Sequence, residues 1–318
     1  MICASLSDQF LRFGQMIRED NNYSVKFVDK RALSFLFEPS QLGQASLTGK
    51  LEALFGLIRE SLIVPDSELL LSVSDEWMDI LFQNVDVGLD RTEVLEVLNW
   101  TLRTRYGDLY KDRIIQHYNL VSDLTIESTV YVTISLFKKF AEIMHKAARS
   151  SGFRISLLDI NLFSAMNCIE KLYPVTNYKT WGVWQVGKQK HSLVLVDSGE
   201  FRAYAEFEIV DNAEFVISRR SSPDDIIEKV VEELNQAQYS SATQLESLDY
   251  LYYYSHEVDS DFFNIVLMNE LENMKPATPF LTHTPLKLYL DDGDGDGAMC
   301  QFMDVMGLML RRMSGSAK

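Results

Sequence analysis

The chain has 318 residues, 47% hydrophobic and 24% charged, a balance that excludes an intrinsically disordered protein and at this length predicts two domains. Its 46 acidic against 30 basic residues give a formal net charge of −16, which excludes nucleic-acid binding built on phosphate neutralisation and argues against docking on anionic lipid. Cys3, Cys168 and Cys300 form no CxxC pattern and read as buried thiols in a reducing compartment, while the N-terminus does not read as a signal peptide and no apolar run approaches the ~20 residues of a membrane span, so the sequence predicts a cytoplasmic protein.

In chain order, residues 2–37 read as strands, with Glu19-Asp20-Asn21-Asn22 as a hairpin turn. Leu51, Leu54, Phe55, Ile58 and Leu62 recur at helical spacing, and Pro65 follows as a stop. Short strands are expected over 69–73 and 80–85. Asp90 to Glu93 has the form of a capping box before the stripe Val94, Leu95, Leu98 and Leu102. Strands over 113–121 and 128–136, a helix over 138–150 stopped by Gly152, a strand over 154–158 and a helix over 162–172 follow. Residues 174–179 read as a linker. Beyond it come strands over 180–186, 192–196 and 201–209, with Asp197-Ser198-Gly199-Glu200 as a hairpin turn. Ser222-Pro223-Asp224-Asp225 reads as a helix start, followed by a strand over 248–254, a helix over 261–271, a strand over 286–290 and a Met-rich closing helix over 298–312 that reads as core.

Each half opens with strand hairpins and then alternates helices and strands, which points to a duplicated α/β plan. Three stretches sharpen it: Tyr131-Val132-Thr133-Ile134-Ser135, then Lys146-Ala147-Ala148-Arg149-Ser150-Ser151-Gly152, then Leu157-Leu158-Asp159-Ile160-Asn161-Leu162-Phe163-Ser164-Ala165. With Val305-Met306-Gly307-Leu308-Met309-Leu310-Arg311 near the end, they resemble the PilM-type proteins of type IV pilus systems, within the actin-like ATPase superfamily. The resemblance implies a two-domain actin-like (ribonuclease H-like) α/β fold with a small inserted α+β subdomain. It implies a first-domain core over 1–88 completed by 297–318, the inserted subdomain and return helix over 89–173, and a second domain over 174–296.

The resemblance also implies where nucleotide chemistry should lie: two glycine-rich hairpins whose amides grip phosphate and whose Asp positions a metal, and a glycine-rich adenosine loop. Here the first hairpin has Ser5 at the Asp position and Ser7 at the Gly position. In the second, Gln185 replaces the Asp and only Gly187 survives; the adenosine loop reads Ser255-His256-Glu257. Loss of both carboxylates removes the charge that holds Mg²⁺, and added β-carbons obstruct the anion. The expectation is a pseudo-ATPase with no cofactor and no catalytic residue.

Asp292, Asp294 and Asp296, with Gly297, match the first half of a calcium loop, but Met303 stands where the bidentate Glu belongs, so a flexible acidic turn is preferred. The histidines lie at no metal-ligand spacing and read as surface or capping residues. The expected function is a non-catalytic scaffold of a type IV pilus or type II secretion-like platform. It would bind the short cytoplasmic tail of a PilN-like bitopic inner-membrane protein, with no nucleic acid, no direct membrane insertion, and a homo-oligomer left open. The alternatives are an active actin-like ATPase with divergent phosphate loops, or a GspL-type secretion component.

Overall fold

The structure is a computed structural model, and it describes residues 1–19, 22–120, 128–173, 179–187, 190–210, 214–221, 225–237, 239, 243–256, 271–277, 286–288 and 300–315. Its described elements are β1 (Ile2–Leu6), β2 (Phe10–Glu19), β3 (Asn22–Ala32), α1 (Ser46–Glu60), β4 (Glu68–Val73), β5 (Met78–Asp86), α2 (Arg91–Tyr106), β6 (Arg113–Asn119), β7 (Ser128–Phe137), α3 (Lys138–Ser150), β8 (Arg154–Ile160) and α4 (Asn161–Leu172). After them come β9 (Thr180–Val186), β10 (Lys190–Asp197), β11 (Glu200–Ile209), β12 (Phe215–Ser221), α5 (Ile226–Ala237), β13 (Tyr250–Ser255), β14 (Met274–Pro276), β15 (Leu286–Leu288) and α6 (Met303–Gly315).

The first large sheet has the order β15-β3-β2-β1-β4-β8 and the second β12-β11-β10-β9-β13-β14. In both, the opening strand pairs antiparallel with the next strand and parallel with a later one: β1 with β2 and β4, β9 with β10 and β13. This is the duplicated plan, now visible as two lobes. Its hairpins are locally encoded. At the β10–β11 turn, Ser198 and Gly199 have φ of 51° and 84°, the paired positive values of a tight turn matched to strand twist.

A third sheet, β5-β7-β6, carries α2 on one side. The capping box forms as the sequence implies: the Asp90 carboxylate accepts from the Thr92 and Glu93 amides, and Glu93 accepts from the Asp90 amide at 2.8 Å. Strand β5 lies before residue 89 yet pairs with β7, while β8 joins the first sheet beside β4. The small sheet is therefore strung between strands of the first lobe.

Apolar patterning explains how the layers join. The inner face of the second sheet, with Trp181, Val183, Val194, Val196, Tyr204, Tyr252 and Tyr254, merges into the first lobe's core. Its outer face, with Trp184, Leu193, Leu195, Phe207 and Leu251, packs on the α5 stripe of Ile227, Val230, Val231 and Leu234. Consecutive tyrosines of β13 thus enter two different cores, as strand alternation requires. Strand β12, which the sequence reading passes over, adds an edge to this sheet. The expected helix over 261–271 lies almost wholly outside the described residues; so do much of the linker at 174–179 and of the helix start at 222–225.

Helix α6 packs against α4 at very short range. A β-carbon on Gly307 would lie 1.7 Å from the Ser164 carbonyl oxygen, and Asn167 Nδ2 donates to the Gly307 carbonyl at 2.7 Å. By contrast, Gly56 in α1 has open space around it. Gly307→Ala should therefore destabilise the protein by ~1–3 kcal/mol through forced separation of two helices. Gly56→Ala should stabilise it by ~0.5–1 kcal/mol through helix propensity. Urea denaturation midpoints of the two variants should move in opposite directions.

Candidate functional site between the lobes

The β1–β2 hairpin and the β9–β10 hairpin face each other across a cleft of about 430 Å³. Its walls include Ser7, Asp8, Ser74, Asp75, Gln185, Gly187, Lys190, Glu206 and His256. The expected phosphate-loop positions meet here, but their polar groups are spent on the protein itself. The Ser7 amide donates to the Phe10 carbonyl at 2.9 Å, and the Phe10 amide donates to Ser7 Oγ at 3.2 Å. Gln185 accepts from the Tyr254 hydroxyl at 2.8 Å. A β-carbon on Gly187 would sit 2.1 Å from the Lys190 carbonyl oxygen, so this glycine is needed by its own hairpin. Ser255 Oγ donates to the Val186 carbonyl at 2.9 Å. Glu257, Asp292, Asp294 and Asp296 lie outside the described residues, and among the described residues no cluster of three or more metal-ligating side chains occurs.

Ser5, at the expected Asp position, lies within β1 and is fully buried. Its hydroxyl lies 2.6 Å from Asp304 Oδ2 on α6 and 2.9 Å from Asn161 Oδ1 at the start of α4. Arg12, on the neighbouring strand β2, reaches the same carboxylate at 2.9 Å and Ser5 Oγ at 2.6 Å. Neither Arg12 nor Asp304 has exposed side-chain surface. His256 Nε2 stands 3.1 Å from Asp304 Oδ2. Burial alone would raise the Asp304 carboxyl; the Arg12 charge, His256 and the Ser5 hydroxyl outweigh it and hold the group at about 2. His256 is brought down to about 4, first by burial and then by Arg12, so it is neutral at pH 7. His191, in β10, is likewise buried and brought down to about 3 by burial. These two histidines correct the expectation of surface or capping positions.

A second buried network crosses the cleft. Asp75, after β4, accepts from Ser192 and from Tyr204, whose hydroxyl lies 2.7 Å from Asp75 Oδ2. The same hydroxyl lies 2.7 Å from Glu206 Oε1. A phenol has one proton, so the Tyr204 hydroxyl donates to only one of these two carboxylates at a time. Burial, and then the charge of Asp75, raise the Glu206 carboxyl above its ordinary range. Arg219 on β12 completes the clasp, donating to Glu206 at 2.9 Å and to Asp79 on β5 at 3.2 Å.

The wall is acidic: Asp8, Glu38, Asp75, Glu76 and Glu206 line it. The one ammonium among its described residues, Lys190, is paired with Glu76 at 2.9 Å. A polyphosphate entering this space would meet like charge, and the Ser7 and Phe10 amides of the first hairpin already have partners. The sequence signal for the buried pair was present: Arg12 stands between Leu11 and Phe13, and Asp304 lies in an apolar, Met-rich helix, both placements that demand a partner.

No protein-family model and no curated protein matches the sequence. Among solved structures, the chain matches the PilM–PilN type IV pilus biogenesis complex with a TM-score of 0.69 at 13% identity, covering 98% of this chain and 97% of that one. It matches a Bacteroides thetaiotaomicron protein with an actin-like ATPase fold and unknown function at a TM-score of 0.45, 11% identity, and 87% and 90% coverage. The cytoplasmic domain of EpsL, an inner-membrane component of the Vibrio cholerae type II secretion system, matches at 0.45 and 8% identity, over 99% of this chain and 94% of that one.

Removing one member of a fully buried ion pair leaves the other unpaired. Asp304→Ala or Arg12→Ala should therefore cost ~3–5 kcal/mol, and the double apolar replacement Arg12→Met with Asp304→Leu should cost much less than the sum. Because the Asp304 carboxyl is depressed in the folded state, its contribution is complete above the ordinary value of ~3.9 and is lost as pH falls toward its folded value. Asp304→Asn should remove that acid-side loss, measured as the denaturation midpoint against pH. Topology and end-to-end superposition together make this chain similar to the PilM–PilN complex chain in fold: a two-lobed, actin-like α/β architecture.

Proposed function

We propose that this chain is a non-catalytic scaffold of a type IV pilus or type II secretion-like assembly platform. Its partner is the cytoplasmic tail of a bitopic inner-membrane protein of the PilN kind, and its place is the cytoplasmic face of that membrane. The observation that carries the reading is the likeness over nearly the whole of both chains to a structure that is itself a two-protein assembly complex. The interlobe cleft supports the non-catalytic part: the Ser7 and Phe10 amides and the Gln185 side chain are bonded internally, and its walls are acidic. No described helix is long and apolar enough to cross a membrane.

The second reading, an actin-like ATPase with divergent phosphate loops, draws on the cleft between the lobes, which is of ligand size.

Tethered full-length protein should capture from detergent-solubilised membranes a protein with a single span and a short cytoplasmic tail. A synthetic peptide of that tail should then bind the chain directly in calorimetry. A captured protein whose tail peptide gives no heat, or capture that depends on added ATP, would count against the scaffold.

A further inference from the structure

Helix α2 has two unlike faces. Leu98 and Leu102 are fully buried, one turn apart, on the side that packs against the small sheet. Trp100 stands on the opposite side and is 67% exposed, whereas Trp77, Trp181 and Trp184 are buried. At about 100° per residue, Val97, Thr101 and Thr104 share the side of Trp100. Thr101 Oγ1 donates to the Val97 carbonyl at 3.1 Å, and Thr104 Oγ1 to the Trp100 carbonyl at 3.0 Å. Both hydroxyls are thus used by the helix itself, which leaves the methyl groups to the stripe. Glu93, toward the start of the same side, is engaged by the Asp90 amide in the capping box. An indole left in water beside aliphatic neighbours is the kind of anchor that interfaces bury.

Charge identifies the partner. Glu96 and Arg103 border the stripe along one edge, both exposed, and no described residue forms an ion pair with either. They lie about 5 Å to either side of the point midway between Asn99 and Trp100. A second α2 laid antiparallel across that point sets Glu96 against the copy's Arg103, and Arg103 against the copy's Glu96, by one symmetry operation. The same operation brings the two Trp100 rings together near the axis and sets Val97 against the copy's threonine methyls. Parallel packing would instead oppose Glu96 to Glu96. The helix holds three arginines and two glutamates, so the net charge of −16 is not concentrated here. Exposed charges farther off than a Debye length of ~8 Å are largely screened, so the rest of the chain does not keep copies apart at this face.

We infer that the chain self-associates through α2, as a two-fold antiparallel pair of these helices with Trp100 at its centre and reciprocal Glu96–Arg103 ion pairs at its rim. The inference goes beyond the scaffold reading and does not depend on it. A single helix pair falls below the ~1,200 Å² at which standard interfaces begin, so the dimer is weak and forms with concentration. A second copy is favoured over an unrelated helix because one two-fold axis satisfies the unpaired acid, the unpaired base and the exposed apolar stripe together.

Sedimentation equilibrium of the full chain should show a reversible monomer–dimer equilibrium. Acrylamide quenching of tryptophan fluorescence should fall as the dimer forms, because Trp100 is the exposed indole. Trp100→Glu, at an exposed position, should keep the wild-type circular dichroism spectrum and weaken the dimer by about a hundredfold or more. Glu96→Arg and Arg103→Glu should each weaken it by about tenfold, since each opposes like charges twice across the axis. Mixed in equal amounts, these two variants should associate again, because each then meets its complement, and the double variant Glu96→Arg with Arg103→Glu should dimerise as the wild type does. A wild type that stays monomeric at the highest concentration reached overturns the inference. So does a dimer indifferent to Trp100→Glu, or a failure of the two charge variants to recover on mixing.

Discussion

Arg12 and Asp304 meet in the interior with no solvent to share their charge. They join β2 to α6, and Ser5, Asn161 and His256 gather around that contact. Ser5 and Asn161 bring β1 and the head of α4 into it. Two charges taken out of water are tolerated only when closely paired, and the pairing through Arg12 Nη2 fixes α6 against the first sheet, while Arg12 Nε and Nη1 are buried without a hydrogen-bond partner among the described residues. The close seat of Gly307 on Ser164 follows from the same docking. The last helix is thus a structural part of the first lobe, and the back wall of the cleft is set by a contact that cannot be opened cheaply.

The front of the cleft is held by a different device. Asp75 and Asp79 from the first lobe receive Ser192, Tyr204 and Arg219 from the second. The lobes are bridged by their own side chains at the place where a bound anion could bridge them. On the proposed reading the two features are linked: hydrogen-bonding capacity once free to meet a ligand now joins the lobes.

Much of this was legible in the sequence because it is locally encoded. The Asp90–Glu93 capping box, the Ser198-Gly199 turn and the amphipathic faces of α1, α3 and α5 each need only a few neighbouring residues to specify them. The duplicated order could be seen in outline from the alternation of elements, and the resemblance at 131–165 supplied the fold. What did not show was pairing at long range. Ser5 is assigned from sequence only to the Asp position of the first hairpin, because a serine among Ile2, Cys3, Ala4 and Leu6 gives no sign that its hydroxyl will meet a carboxylate 299 residues away. Strand β12 was missed because its polar end, Ser218-Arg219-Arg220-Ser221, hides an edge strand whose arginine reaches across to β5.

The central claim of the proposed function is that this cleft, its walls held by the chain's own hydrogen bonds, does not take nucleotide. Isothermal titration of the purified full-length protein with ATP and Mg²⁺ addresses it most directly. The account predicts no saturable heat and no change in thermal midpoint. Stoichiometric binding at micromolar affinity, abolished by substitution at Gly187, would contradict it.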